Sequence, residues 1–467
     1  MNPCEAQHVI GMERSPTGRG RFRRDETAYI VGAISGAHFL SHIYLLAFPP
    51  LFPLLGAEFD LTTGELGLLV TAIYIPTLVL QIPLGELVDR IGAKRILVGG
   101  LVVTSLGITL AGAATSYWML LAFALLSGVG QSVFHPADYA FLESVTTESN
   151  QGKAFSLHTF GGFAGFAAAP VLLGGIGIRY DWQLALFVAG SLGFLYAAVL
   201  AVTAAPVYRR QIHTRETNGG RDDGGIASEL ETDNPIDERT TESDSSEPST
   251  TESTTPGSTL RQTAAQLLQP RLLVVFVFYL LSMMAIVALQ SFTTVFAVDS
   301  LGFDDASANN VLTAYLVGTA VGVIAGGPLA DRVPFQPVLV GAFAVAAVGT
   351  VAAVAVAPNM TFVVAAVLFA FVGAAIGIAL PSRDTFATTM AEAGSTGKSF
   401  GFFFTGLSLG AVLSPAVLGA LIDVTSVLVA FLVVAGILLV AASVIVVVSV
   451  LGLLEGPSND QNDASPR

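Results

Sequence analysis

The sequence predicts an all-α membrane protein: twelve transmembrane helices in two six-helix bundles that are internal repeats, with both termini in the cytoplasm. Three observations predict this fold: an apolar composition, twelve apolar runs of membrane-spanning length, and a sequence pattern that recurs in the two halves. Of the 467 residues, 53% are hydrophobic and 12% are charged, and the mean hydropathy is +0.69. Soluble domains carry about twice that charged fraction. Lipid is therefore the expected surrounding for most side chains.

Twelve apolar runs are long enough to cross a bilayer as helices. The six in the first half cover residues 28–55, 64–84, 96–115, 117–141, 153–178 and 183–207. The six in the second half cover residues 271–297, 308–328, 336–357, 361–381, 398–421 and 425–452.

Basic residues orient these spans. With the N-terminus inside, the loops that face outward hold a single Lys or Arg, which is Arg179. The other twenty Lys and Arg residues lie in the tails, the inward loops with their flanking helix ends, or the linker. An excess of basic residues marks the cytoplasmic side, so both termini are predicted to be cytoplasmic.

The segment between the two halves is predicted to be a disordered, acidic cytoplasmic linker. Residues 216–258 hold twelve Asp and Glu residues but only two arginines, Arg221 and Arg239, and almost nothing apolar. Such a composition cannot bury enough apolar surface to fold. The predicted divisions are an N-terminal tail, the first bundle, the linker, the second bundle and a C-terminal tail, at 1–27, 28–207, 208–270, 271–452 and 453–467.

The two halves resemble each other at nearly constant offsets. The stretch GVGQSVFHPADYAFLESVTTESNQGKAF (128–155) matches GAAIGIALPSRDTFATTMAEAGSTGKSF (373–400) at an offset of 245, which aligns Pro136 with Pro381. We therefore expect the helix break at this proline in both halves. Parallel repeats joined by a long inward linker are a transporter plan in which the substrate site lies between the halves, near the bilayer midplane.

The stretch GELVDRIGAKR (85–95), between the second and third spans, resembles the cytoplasmic-loop signature of the major facilitator superfamily. A partial second copy, GPLADR (327–332), lies at the matching place in the other half. The resemblance implies that each aspartate docks on a helix start in the other half. The implied crossed pairs, Asp89 with Lys398 and Asp331 with Lys153, would close the cytoplasmic side. The predicted gating residues are Gly85, Asp89, Arg90, Gly92, Arg95, Lys153, Asp331, Arg332 and Lys398.

A narrower resemblance lies in the fourth span, where Phe134, His135, Pro136 and Asp138 match a motif of the fosmidomycin-resistance-type efflux branch of that superfamily. The following glycine-rich span, GGFAGFAAAPVLLGG (161–175), approximates the superfamily's antiporter signature. Together they imply export in exchange for another solute, although close helix packing alone would also explain the glycines.

Four histidines lie within predicted spans and can take a proton near neutral pH. His38 and His42 are four residues apart on one helix face, which places them as candidates for lining a substrate cavity. His135, Asp138 and His158 are candidates for proton coupling, with His135 and Asp138 as the expected relay pair. The alternative is a structural polar cluster. No metal site is expected, because no third ligand for the His38 and His42 pair is evident.

Buried amides and phenols are further candidates for substrate contacts. With the two histidines of the first span, the predicted substrate-binding residues are His38, His42, Tyr74, Gln131, Gln290 and Tyr315. No Lys or Arg is visible near the midplane in the predicted spans, so only protonated histidines would supply positive charge there.

These features predict a secondary active transporter that works by alternating access, coupled to protons and directed outward, in the plasma membrane. No GxxxxGK[ST] loop is present, so we expect neither ATP hydrolysis nor another enzymatic activity or cofactor. The expected partners are a small molecule, protons and the bilayer, with no nucleic acid, and the expected state is a monomer. The alternatives are an importer of a small organic anion and a non-transporting membrane sensor.

Overall fold

The computed structural model of the protein describes residues 24–203, 269–391 and 396–451, and this part of the chain is helical. Twelve of its helices are long and apolar enough to cross a membrane, as predicted. We label them in chain order. In the first bundle they are α1 (Glu26–Leu45), α2 (Thr63–Ile91), α3 (Ala93–Ala111), α4 (Tyr117–Val145), α5 (Ser149–Arg179) and α6 (Trp182–Thr203). In the second they are α7 (Pro270–Asp299), α8 (Asp305–Ala330), α9 (Phe335–Asn359), α10 (Phe362–Met390), α11 (Ser399–Val424) and α12 (Val427–Val450). The predicted linker lies outside the described residues, apart from its last two positions.

The first predicted span was too long at its end. Helix α1 stops at Leu45, a 3-10 turn follows at Pro49–Leu51, and a separate short helix covers Phe52–Phe59. Two consecutive prolines explain the interruption, because proline has no N–H to continue a helical ladder. The carbonyls of these prolines then become available to the second bundle.

The expectation of one proline break shared by both halves is wrong. Helix α4 is interrupted at Ser132–Val133, between segments Tyr117–Gln131 and Phe134–Val145. Pro136 cannot donate to the Ser132 carbonyl four residues earlier, which loosens the ladder at this point. Helix α10 nevertheless runs unbroken through Pro381.

The next pair of equivalent helices differs in the same way. Helix α5 contains a π-helical turn at Pro170–Gly174, whereas α11 is continuous through Pro415. Turns of this kind are frequent at functional sites. The first bundle is therefore the irregular one at both repeated prolines.

Close helix packing within each bundle depends on small residues. In the second bundle a Cβ added at Gly326 of α8 would lie 2.7 Å from the Ile378 carbonyl oxygen of α10. Because lipid supplies no hydrophobic force between helices, such near-contacts between backbones hold membrane bundles together.

Candidate functional site

A cluster of buried titratable side chains lies inside the first bundle. His38 Nδ1 of α1 and Asp138 Oδ2 of α4 share a hydrogen bond of 2.9 Å. His158 Nε2 of α5 lies 3.6 Å from the same carboxylate oxygen, an ion-pair distance that is too long for a hydrogen bond. The Asp138 side chain is 0% exposed, and both histidines are also buried. Three helices thus converge on one carboxylate.

The four histidines predicted within spans come together around His38. Its ring stacks on His158 at 3.8 Å between centroids, and lies 4.4 Å from His42 and 5.8 Å from His135. His135 was expected to be the relay partner of Asp138, and this is wrong. The described contacts of Asp138 are to His38 and His158. The i,i+3 spacing of His135 and Asp138 placed them on one face, but α1 and α5 supply the imidazoles that reach the carboxylate.

Several polar atoms of this cluster have no hydrogen-bond partner among the described residues. They are Asp138 Oδ1, His42 Nδ1 and both ring nitrogens of His158. A buried polar atom without a partner is unfavourable, and a buried charge is more so. The cluster therefore has both the groups and the vacant positions to hold a proton that moves among a carboxylate and neighbouring imidazoles.

The structure brings together three potential metal ligands that do not include the His38 and His42 pair considered from the sequence. His38, Asp138 and His158 each offer a ligand atom within 4.8 Å of the others. Tetrahedral zinc bonds would separate such atoms by about 3.4 Å. The 2.9 Å between His38 and Asp138 is instead the length of a direct hydrogen bond. We therefore interpret the cluster as hydrogen-bonded.

The other predicted substrate residues are buried. The Gln131 amide is engaged by α1, since it accepts from Ser41 Oγ at 2.9 Å and donates to the Ser41 carbonyl at 2.7 Å. Tyr74 and Gln290 are also buried, and the Tyr315 hydroxyl has no described partner. In this structure Gln131 therefore joins two helices, and a role in substrate binding stays a prediction for all four residues.

The sequence reasoning missed a charged group in the second bundle. Helix α10 continues past the predicted end of this span at residue 381 and carries Arg383 in its last turns, with a side chain only 14% exposed. The expectation of no Lys or Arg near the midplane stays a prediction. Its guanidinium lies 4.9 Å from the Tyr279 ring centre of α7 and pairs with Asp384 at 2.9 Å. The Tyr279 hydroxyl donates to the same carboxylate at 3.2 Å. The sequence signal was the adjacent pair Arg383 and Asp384, two residues after Pro381, which lowered the hydropathy of the window and ended the predicted span too early.

Two membrane faces can be distinguished from the chain path. We call the face where α1 begins and α6 ends the terminal face, and the other the opposite face. The signature loop lies at the terminal face, where Gly92 has a φ of +100°, a conformation that favours glycine. Asp89 and Arg90 are exposed there.

Of the two predicted crossed pairs, only Asp331 with Lys153 has both side chains among the described residues. Asp331 and Lys153 are both exposed, and neither has an ion-pair partner among the described residues. The side chain of Lys398 lies outside the described residues. Both pairs remain predictions for another conformation.

The opposite face is where the two bundles meet. Asp423, at the end of α11, accepts hydrogen bonds from the backbone N–H groups of Thr63 and Gly64 at the start of α2, both at 2.8 Å. Thr62 and Glu65 form a capping box at the same helix start. A carboxylate from the second bundle thus completes the cap of a helix in the first, where the helix dipole favours negative charge.

Further hydrogen bonds join the bundles at or toward this face. Thr294 of α7 donates to the Pro49 carbonyl at 3.0 Å, and Asn309 of α8 donates to the Pro50 carbonyl at 2.9 Å. Deeper in the membrane, Thr71 of α2 donates to the Val412 carbonyl at 2.8 Å. The described hydrogen bonds between bundles are all of this group, so the structure is sealed at the opposite face.

Two six-helix bundles, sealed against each other at one face and containing buried titratable groups, are the arrangement of a membrane transporter. The model of the Major Facilitator Superfamily matches residues 34–308 and 271–467, and the chain belongs to this superfamily.

Two relatives are named for resistance to drugs. The chain is 25% identical over 401 residues to the fosmidomycin resistance protein of Escherichia coli (strain K12), covering 85% of this chain and 87% of that protein. It is 30% identical over 181 residues to the multidrug resistance protein MdtH of Sodalis glossinidius (strain morsitans), covering 37% of this chain and 44% of that one.

Solved structures share the fold. A bacterial homologue of the human lysosomal transporter Spinster, in an inward-facing and unoccupied conformation, matches with a TM-score of 0.67 at 16% identity. The match covers 94% of this chain and all of that one. The inward-facing, occupied form of that homologue gives a TM-score of 0.69.

Proposed function

We propose that the protein is a proton-coupled exporter that moves a small organic molecule out of the cytoplasm, across the plasma membrane, in exchange for protons. The observation that carries this proposal is the buried network of His38, Asp138 and His158. Ionisable groups inside a membrane bundle are costly and usually mark a pathway for protons or substrate. The efflux names of the relatives support the outward direction.

The terminal face corresponds to the cytoplasm in this proposal, because basic residues concentrate there. The seal at the opposite face then makes this an inward-open conformation. In the alternate conformation the seal separates, and Asp89 with Lys398 and Asp331 with Lys153 close the terminal face. Each such aspartate would do at the terminal face what Asp423 does at the other: bind a helix start in the neighbouring bundle.

Exchange follows if substrate and proton cannot be bound at the same time, because each binds a different protonation state of the network formed by His38, Asp138 and His158. With a proton on the network, the carboxylate and its imidazoles carry less buried charge and the closed packing around them is favoured. When the proton leaves toward the cytoplasm, the charge that remains needs a compensating partner. A hydrogen-bond donor of the substrate, bound beside the network, would supply it. The return of a proton from outside would then release the substrate.

The test is flux in proteoliposomes with an imposed pH gradient, across a panel of drugs and organic anions that includes fosmidomycin. We expect saturable substrate movement toward the more acidic compartment, which stops when the gradient is collapsed by an ionophore. Asp181→Asn is the matched control, since Asp181 caps α6 outside the network. Saturable flux that ignores the pH gradient would overturn proton coupling. Movement away from the acidic side would favour an importer, and absence of flux in folded protein would favour a sensor.

A further inference from the structure

We propose that Arg383 is an anion-binding residue of the transport site, and that Asp384 occupies its guanidinium until a substrate carboxylate, phosphate or phosphonate replaces it. The inference deepens the proposed function, on which it rests, by assigning a substrate class to the side of the site formed by the second bundle.

The geometry of Arg383 leaves donors for a ligand. Its Nε and Nη2 lie 3.0 and 2.9 Å from a single oxygen, Oδ1 of Asp384. A guanidinium has five N–H donors in a planar fork, and two of the Arg383 nitrogens contact Asp384. The ring of Tyr279 lies 4.9 Å from the guanidinium carbon and provides a stacking surface, and its hydroxyl also interacts with Arg383. The fork is therefore held in place and only partly occupied.

The partner carboxylate is poorly placed for a permanent structural pair. Arg383 and Asp384 are consecutive residues of a helix, and consecutive side chains do not face each other. The Asp384 side chain is 60% exposed, while that of Arg383 is 14% exposed. An arginine paired for stability inside a bundle would be expected to have a buried partner with its remaining donors satisfied. A carboxylate that reaches the guanidinium from open space resembles a ligand more than a packing partner.

The same arginine faces the proton network of the first bundle through Tyr139. Tyr139 of α4 is 41% exposed and interacts electrostatically with both Arg383 and Asp384. Its ring centre lies 6.0 Å from that of His135 and 5.9 Å from that of His158. An anion on Arg383 would thus lie on the far side of Tyr139 from the proton network.

The internal repeat gives an independent reason for this pairing of roles. At the offset of 245, Arg383 occupies the position of Asp138, and Asp384 that of Tyr139. In both bundles the first helix supplies a side chain to this position: His38 of α1 contacts Asp138, and Tyr279 of α7 contacts Arg383 and Asp384. In the first bundle this position carries a carboxyl group that can bind a proton. In the second bundle it carries a permanently charged guanidinium that can bind an anion.

Binding can be measured on the purified full-length protein without flux. We would titrate benzoate, and separately its neutral isostere benzamide, by calorimetry, with phenylphosphonate as a second anion. We expect the anions to bind at least about tenfold more tightly than benzamide, because a charge-assisted bidentate contact distinguishes them. Equal affinity for benzoate and benzamide, or no binding of either anion, would overturn the proposal.

Three variants assign the effect to the arginine. Arg383→Gln is expected to weaken benzoate binding about tenfold or more, and Arg383→Lys, which keeps the charge but loses the fork, to weaken it less. Asp384→Asn is expected to tighten benzoate binding several-fold, because it removes the internal competitor. The control Arg179→Gln removes an exposed arginine beside Tyr180 at the opposite face, and is expected to leave binding unchanged.

The outcomes are separable from those of the proposed function. Weaker binding in Asp384→Asn would identify the ion pair as structural and overturn the inference, even if Arg383→Gln failed to fold. An equal loss in Arg179→Gln would do the same. Anion binding that depends on Arg383 in a protein without pH-driven flux would overturn proton-coupled export and leave this inference standing.

Discussion

The two bundles share a scaffold but differ where α4 and α10 approach the centre. Helix α4 is interrupted at Ser132–Val133 and carries a buried carboxylate in contact with two histidines. Helix α10 is continuous and carries an arginine with an exposed carboxylate beside it. The repeated proline therefore does not by itself interrupt a helix. Its surroundings determine whether the helix is interrupted.

In the proposed exchanger, this difference would separate proton binding from anion binding. A group that gains and loses a proton belongs in a buried, polar network, because its surroundings then respond to the change of charge. A group that binds an anion belongs beside open space, where a ligand can reach it. The first bundle has the first property and the second bundle has the second, so divergence of the repeat follows the chemistry.

The comparison is tested most severely by neutralising the acid of the first bundle. In proteoliposomes, Asp138→Asn is expected to reduce pH-driven uphill transport by about tenfold or more, because the network loses the group that changes charge. Downhill exchange of substrate is expected to continue. The control Asp384→Asn, in the second bundle, is expected to keep its response to the gradient. An equal loss of the pH response in both variants would contradict the assignment of proton binding to the first bundle alone.

A bulky residue at the contact between bundles is expected to have the next largest effect. A Cβ at Gly67 of α2 would collide with the Pro415 carbonyl oxygen of α11, whereas one at Gly99 of α3 meets nothing within 4 Å. Gly67→Val is therefore expected to open the opposite face.

The measurement is labelling of a cysteine at position 294 by a membrane-impermeant maleimide, in a background without Cys4. We expect about tenfold faster labelling in Gly67→Val, since relief of such overpacking is worth about 1–3 kcal/mol. Gly99→Val serves as the control and is expected to label like the parent. Unchanged labelling in Gly67→Val would show that the seal does not depend on this contact.

Removal of the charge on Asp423 is also expected to favour opening of the opposite face, but by less than Gly67→Val. The carboxylate caps the start of α2 from the other bundle, a contribution of about 0.3–1 kcal/mol at an exposed site. Asp423→Asn should then speed labelling at position 294 by about two- to fivefold. Asp304→Asn, which weakens a cap of α8 within its own bundle, should have no effect on labelling. Equal acceleration by both would contradict a role for Asp423 between bundles.

The smallest effect concerns a contact that holds α1 to α4. Ser41→Ala removes the hydrogen bond to Gln131 and is expected to lower the free energy of unfolding by about 1 kcal/mol. Ser282→Ala in α7 removes only a bond to its own helix, at the Tyr279 carbonyl, and should cost less. Unfolding of both variants in a denaturant series would compare them. A larger loss for Ser282→Ala would mean that the first bundle does not depend on polar contacts between its helices.

Much of this fold could be predicted because hydropathy and the internal repeat are properties of the chain itself. The failures have local causes. The first span was extended through Pro49 and Pro50 because both lie in an apolar run, although neither can continue a helix. The last turns of α10 were cut off because Arg383 and Asp384 lower the hydropathy of the window.

The residues of the candidate site were predicted correctly, but the contacts between them were not. All four intramembrane histidines and Asp138 do cluster, yet spacing along one helix pointed to His135 as the partner of the carboxylate. The partner is His38, a hundred positions away in sequence. The packing of α1 against α4 and α5 determines which histidine contacts Asp138, and this packing cannot be read from the residue spacing within a single helix. Asp423 was missed for the same reason, since its partners belong to the other bundle.

The central claim is that Asp138 carries the exchanged proton, and pH-difference infrared spectroscopy of the purified protein tests it most directly. A protonated carboxylic acid has a C=O stretching band that its carboxylate lacks. We predict a pH-dependent band of this kind in the wild-type protein and in Asp384→Asn, and its loss in Asp138→Asn. A band that persists unchanged in Asp138→Asn would contradict the account.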